Sequence, residues 1–106
     1  MLGAVFMYIA AMNKVSLFVT IEVQPGKAEA FLEKIKSQIE LIRGEDGCEA
    51  INLYQNDSEV NQIHVWEVWR DRGAWDAHMA NQASKEWRAV AAEYVLGEKI
   101  TVMKNA

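Results

Sequence analysis

The chain has 106 residues, 51% hydrophobic and 25% charged, with a formal net charge of −4. This is the size and balance of one globular domain with a single thin core. The acidic balance and scattered Lys and Arg argue against a nucleic-acid partner, which needs a clustered basic face, while the lone Cys48 excludes an internal disulfide and fits a reducing, cytoplasmic setting.

Residues 1–12, MLGAVFMYIAAM, carry no charged side chain. The run is too short to span a bilayer, and no basic segment precedes it as in a secretory signal. It is expected to be an N-terminal extension, disordered or non-native, with Met12 the natural first residue and the domain at 13–106. The rival reading is a structured extension used in dimer contacts.

Residues 15–23, VSLFVTIEV, are rich in β-branched residues and predict a strand. Val15, Leu17, Val19, Ile21 and Val23 share one face; Phe18, Thr20 and Glu22 share the other. Gln24-Pro25-Gly26 ends the strand, with Pro25 at or just before a helix start. Ala28, Phe31, Leu32, Ile35, Ile39 and Ile42 then recur at spacings of three and four, which makes the apolar stripe of a helix. Glu29, Glu33, Lys36 and Glu40 fall outside the stripe, and Gly44-Glu45-Asp46-Gly47 stops the helix.

Residues 49–55, EAINLYQ, and 62–70, QIHVWEVWR, predict two strands of a hairpin joined through Asn56-Asp57-Ser58-Glu59. Asp71 is a fitting N-cap for a short helix through about Ala80. Ser84 is expected to cap a second helix through about Leu96, with Gly97 at its stop. Residues 98–103, EKITVM, make a last strand. The order is β-α-β-β-α-β with the second helix split in two. This is an α+β, ferredoxin-like arrangement, with an antiparallel sheet carrying helices on one face. Phe18, Tyr54, His64 and Trp66 fall on the other face, too apolar to leave in water. A homodimer packing sheet against sheet is therefore expected.

Three stretches, VTIEVQPGKAEAFLEKI, GCEAINLYQ and VWEVWRDRGAWDAHMANQASKEW, resemble the antibiotic biosynthesis monooxygenase domain family. The matching features run in order through roughly residues 15–103. They are Pro25-Gly26-Lys27, Phe31, Gly47-Cys48, Glu67-x-Trp69, the acidic-led helix with Trp75 and His78, and Lys85. The resemblance implies a dimeric α+β barrel with a pocket between sheet and helices in each protomer. Some members oxidise quinols or anthrones with molecular oxygen and no metal or flavin. Others degrade heme, isomerise small phosphorylated metabolites, or have no established activity, so membership fixes fold better than reaction.

Strand parity puts Ile63, Val65, Glu67 and Trp69 on one face, and the family pattern turns that face to the pocket. Trp75, His78 and Met79 share one side of the short helix. Glu67 sits mid-strand among apolar neighbours, where a lone carboxylate would cost several kcal/mol or take up a proton. It should therefore have a partner, with His78, Arg88 and Lys85 as candidates. Glu67 is either a structural anchor or a pocket carboxylate that orients substrate or acts as a base. His78 is either a satisfied polar residue or the base that deprotonates a phenolic or enolic substrate. Trp69, Trp75, Met79, Val19 and Arg88 are expected to contact substrate, Trp69 as core, stacking wall, or both.

Trp87 and Tyr94, seven apart, are expected in the core on one helix face. Cys48, with no basic neighbour evident, is expected to pack rather than react. The positions where heme-degrading relatives carry an asparagine and a histidine hold Val19 and Arg88, which disfavours heme. Two separated histidines and one cysteine show no metal-ligand spacing, so no cofactor and no metal are expected. The leading expectation is a cofactor-independent monooxygenase of a small aromatic quinol- or anthrone-like substrate, with His78 and Glu67 catalytic. A non-catalytic small-molecule binding or stress-response module stands against it. So does an isomerase of a phosphorylated metabolite, for which Lys85 and Arg88 are the available cations. Neither a membrane nor a nucleic acid is expected as a partner.

Overall fold

The computed structural model describes residues 13–106; the expected extension at 1–12 lies outside them. The elements are β1 (Val15–Val23), α1 (Ala28–Arg43), β2 (Cys48–Gln55), β3 (Gln62–Trp69), α2 (Arg72–Ala80), α3 (Gln82–Ala91) and β4 (Val95–Met103). The strands form one sheet in the order β2-β3-β1-β4, and every neighbouring pair is antiparallel. This is the ferredoxin-like α+β arrangement that the alternation of periodicities predicts. No helix among the described residues is long and apolar enough to cross a membrane.

The period-two pattern of β1 becomes burial directly: Val15, Leu17, Val19, Ile21 and Val23 are all buried. They meet the stripe of α1, where Ala28, Phe31, Ile35, Ile39 and Ile42 are buried and Leu32 packs at the edge. Burying a side chain of this size stabilises the fold by roughly 1.5–3 kcal/mol, which offsets the conformational entropy of ordering both elements. Between them, Lys27 N–H bonds Gln24 O across Pro25-Gly26, and Gly26 takes φ +84°. Pro fixes the first central position of this turn and Gly supplies the second, so Pro25 lies in the turn rather than in the helix. At the other end of α1, Gly47 also takes positive φ, +83°, and a methyl group there would overlap the Ala74 side chain at the start of α2. Glycine lets the α1–β2 loop pass that close.

Asp71 caps α2 as expected, its side chain accepting from Ala74 N–H at 2.8 Å. The cap of α3 is different. Asn81, not Ser84, holds it, accepting from Ser84 N–H at 2.7 Å. Asn and Ser rank alike as caps; the extended backbone at Asn81, which ends α2, decides between them. Ser84 is instead buried, and its hydroxyl donates to His78 O at 2.6 Å, tying α3 to α2.

The helix α3 also stops at Ala91 rather than near Leu96, and Gly97 lies within β4 opposite Glu22. Sheet pairing overrides local helix preference here: Gln24 N–H bonds Tyr94 O at 2.8 Å and Val95 pairs with Val23. Trp87 and Tyr94 both pack on Phe31, with ring centroids 5.8 and 6.1 Å away. Tyr94 reaches it from the turn after the helix, not from the helix face.

On the sheet face away from the helices, Phe18 and Tyr54 are exposed and His64 and Trp66 half-buried. Phe18 stacks on His64 at 5.1 Å. The edge strand β4 leaves Leu96, Ile100, Val102 and Met103 exposed as well.

Candidate functional site

A cavity of about 360 Å³ opens between the inner sheet face and the helices. Leu17, Val19 and Ile21 of β1, Ile35 and Ile39 of α1, and Ile51 and Val65 of the hairpin wall it. Its polar groups are Glu67, His78, Ser84, Arg88, Glu98 and Gln38. Apolar walls with a few placed polar groups are the usual make-up of a small-molecule site, and the volume lies within the usual range.

The alternation of β3 brings Glu67 to this wall, since its Cα partners on the two neighbouring strands are Leu17 and Ile51, both buried. Glu67 itself is only 8% exposed. Its partner is neither His78, Arg88 nor Lys85. The indole N–H of Trp69, two residues on along the same face, donates to Glu67 Oε1 at 2.9 Å. The signal was present in Glu67-x-Trp69: same-face strand neighbours can bond when one side chain is long enough to reach back. Burial pushes the Glu67 carboxyl above its ordinary range; the Trp69 bond and His78 oppose this, while Glu98 and Glu45 add to it. Burial likewise raises Glu98, against the pull of Arg88.

Of the residues expected to contact substrate, Val19, Trp75, Met79 and Arg88 line the cavity together with Glu67 and His78. Trp69 does not. It is fully buried, holding Glu67 with its N–H while its ring stacks on His78 at 4.7 Å. The indole is therefore a support behind the wall rather than the wall itself. Arg88 donates from Nη1 to Met79 O at 3.2 Å, bracing α3 against the end of α2. Lys85 is not among the lining residues.

His78 is 9% exposed, and its Nδ1 lies 3.0 and 3.1 Å from the two carboxylate oxygens of Glu45. Asn81 Nδ2 donates to the same carboxylate at 2.7 Å. Sequence reasoning missed Glu45, Asn81 and Ser84 as parts of this site. Glu45 stands in a polar turn 33 positions before His78, and no periodicity relates a loop residue to a distant helix. Cys48 is half-buried against the core, and burial pushes its thiol up, away from thiolate chemistry. Arg43 is near enough to oppose that shift, a basic neighbour the sequence did not reveal. Among the described residues, no group of three or more His, Cys, Asp or Glu side chains is placed to hold a metal ion.

Residues 15–90 match the family model described as antibiotic biosynthesis monooxygenase. An uncharacterized protein of Synechocystis sp. is 40% identical over 58 residues, covering 55% of this chain and 40% of that protein. YcnE of Bacillus subtilis, a provisionally named monooxygenase, is 33% identical over 58 residues, covering 55% of this chain and 61% of the relative. The matched stretch thus spans less than two thirds of either relative. A conserved protein of Methanosarcina mazei superposes with a TM-score of 0.85 at 25% identity, covering 93% of this chain and 99% of the other. A Pseudomonas aeruginosa protein does so with a TM-score of 0.83 at 23% identity, covering 91% and 97% of the two chains, which shows a shared fold.

Proposed function

The chain belongs to the antibiotic biosynthesis monooxygenase family, and on that premise we propose that it oxidises a small aromatic quinol- or anthrone-like substrate with molecular oxygen. The observation that carries the reading is one cavity in which a buried carboxylate, Glu67, and an imidazole, His78, stand among apolar walls. His78 removes a proton from the phenolic or enolic substrate. The electron-rich anion then reduces oxygen. With an anthrone, one oxygen atom enters as a new carbonyl and the other leaves as water with the two hydrogens of the reacting carbon. With a quinol, one enters as a ring hydroxyl of the hydroxyquinone product and the other leaves as water with the two hydrogens the quinol loses overall. Glu67, held by Trp69, positions the substrate by accepting from its hydroxyl, and burial raises its proton affinity.

A non-catalytic binding module would be favoured by a pocket filled with its own side chains. The open volume with His78 and Glu67 on its lining supports the enzyme instead. The phosphometabolite isomerase has less support, because Arg88 lines the cavity and Lys85 does not. We further propose that the protein works as a homodimer through Phe18, Tyr54, His64 and Trp66. The uncovered apolar face they form supports this. Oxygen uptake with a panel of quinols and anthrones tests the main reading: consumption above the uncatalysed rate, lost in His78→Ala, is expected. No consumption with any substrate overturns it.

A further inference from the structure

The chemistry proposed for His78 needs one of its two ring nitrogens to be a proton acceptor facing the cavity. The surroundings of the ring decide which. Nδ1 meets only acceptors: the two oxygens of the Glu45 carboxylate at 3.0 and 3.1 Å, and Ser84 Oγ at 3.5 Å. The Ser84 hydroxyl has already committed its one proton to His78 O, at 2.6 Å. A neutral imidazole among such partners carries its proton on Nδ1.

Nε2 has no hydrogen-bond partner among the described residues, yet no buried side-chain nitrogen or oxygen there is left without one. Nε2 therefore keeps access to open space, and His78 lines the cavity.

We propose that Glu45 is a positioning residue that fixes His78 in its Nδ1–H tautomer, leaving Nε2 as the proton acceptor at the cavity. The inference rests on the reading of His78 as the base and extends it to a residue on another element. Asn81 holds Glu45 in turn, donating to Oε1 at 2.7 Å while its own Oδ1 caps α3. The same side chain thus ties the helix junction to the dyad. When Nε2 takes up the substrate proton, the Glu45 carboxylate lies beside the imidazolium and stabilises it.

His64 provides an internal contrast. Its Nδ1 lies 3.2 Å from Thr20 Oγ1, and its Nε2 lies 3.1 Å from Gln62 Oε1. That amide oxygen also accepts from Asn56 at 2.8 Å while Gln62 Nε2 donates to Glu22 at 2.8 Å, which fixes the amide orientation. His64 must therefore carry its proton on Nε2. The two histidines of the chain are expected in opposite tautomers.

Nitrogen-15 NMR of the histidine-labelled protein, at a pH where both rings are neutral, reads this directly. His78 is expected with a protonated Nδ1 and a bare Nε2, and His64 with the reverse. Glu45→Ala should move His78 to the Nε2–H form and lower kcat about tenfold or more, with KM little changed. Unchanged His64 signals confirm an intact fold in the variant. Glu45→Gln, whose amide oxygen can still accept, should keep the Nδ1–H form and recover part of kcat. An Nε2–H tautomer at His78 in the wild type overturns the proposal. So does a Glu45→Ala variant that keeps the wild-type tautomer or the wild-type kcat. The tautomers are read without any substrate. Failure to find an oxidisable quinol or anthrone would count against the monooxygenase reading and leave the Glu45 assignment to stand or fall on its spectra.

Discussion

The indole N–H of Trp69 donates to Glu67 Oε1 at 2.9 Å, from a side chain with no exposed surface. Two residues of one strand thus satisfy each other, and the carboxylate is left at the cavity wall rather than lost in the core. Trp69→Phe keeps an aromatic ring against His78 but removes the donor. A buried acceptor left without its donor costs about 1–3 kcal/mol, so urea unfolding at neutral pH should show a loss of that size. The loss should shrink in acid, where Glu67 is protonated and the missing bond matters less.

Burial raises the Glu67 carboxyl above its ordinary range, so between its unfolded and folded pKa values the folded state holds more proton than the unfolded one. Stability is then lost as pH rises through that window and is not penalised below it. Glu67→Gln cannot titrate and can still accept from Trp69. Its stability relative to wild type should therefore improve as pH rises from below the ordinary carboxylate range and level off above the folded pKa. Thermal unfolding across a pH series measures this; a variant that falls further behind wild type as pH rises contradicts it.

Gly47 lets the loop carrying Glu45 pass against α2. Gly47→Ala must adopt positive φ and displace Ala74, a combination expected to cost about 2–4 kcal/mol. Denaturant unfolding should show the loss. The α1–β2 loop would have to shift to relieve the overlap, and the distance from Glu45 to His78 would change with it. Gly26→Ala, where a methyl group meets nothing, should cost less because only the backbone conformation is strained.

A charge placed on the uncovered sheet face should prevent sheet-to-sheet packing. Wild type is expected to scatter light as a dimer, at twice the 12.0 kDa chain mass, and Trp66→Glu as a monomer of unchanged secondary structure. A wild-type monomer at micromolar concentration would remove the dimer proposal and leave the cavity account intact.

What was legible in the sequence follows its periodicity. The five alternating residues of β1 and the three- and four-residue stripe of α1 predict the observed core, with Leu32 of the stripe only half-buried at its edge. Parity grouped Glu67 with Ile63, Val65 and Trp69 on one face of β3, and the family pattern turned that face inward, where the strand buries it. Where sequence reasoning went astray, one miss was local: the Ser84 cap goes to Asn81 because the backbone there is extended where α2 ends. Tyr94, by contrast, leaves the helix because contacts distant in the chain overrule local preference, β4 pairing with β1. Glu45 was invisible for the same reason. A loop residue finds its helix partner only once the sheet is assembled, and the resemblance to a family supplies no residue for it.

The monooxygenase reading meets its sharpest test in oxygen-18 gas. With the best quinol or anthrone substrate, wild type should deliver one labelled oxygen atom into the product and the other into water. His78→Ala should lower that rate by about a hundredfold or more while still binding substrate. Product formed without label from the gas, or a His78→Ala variant as fast as wild type, would contradict the account.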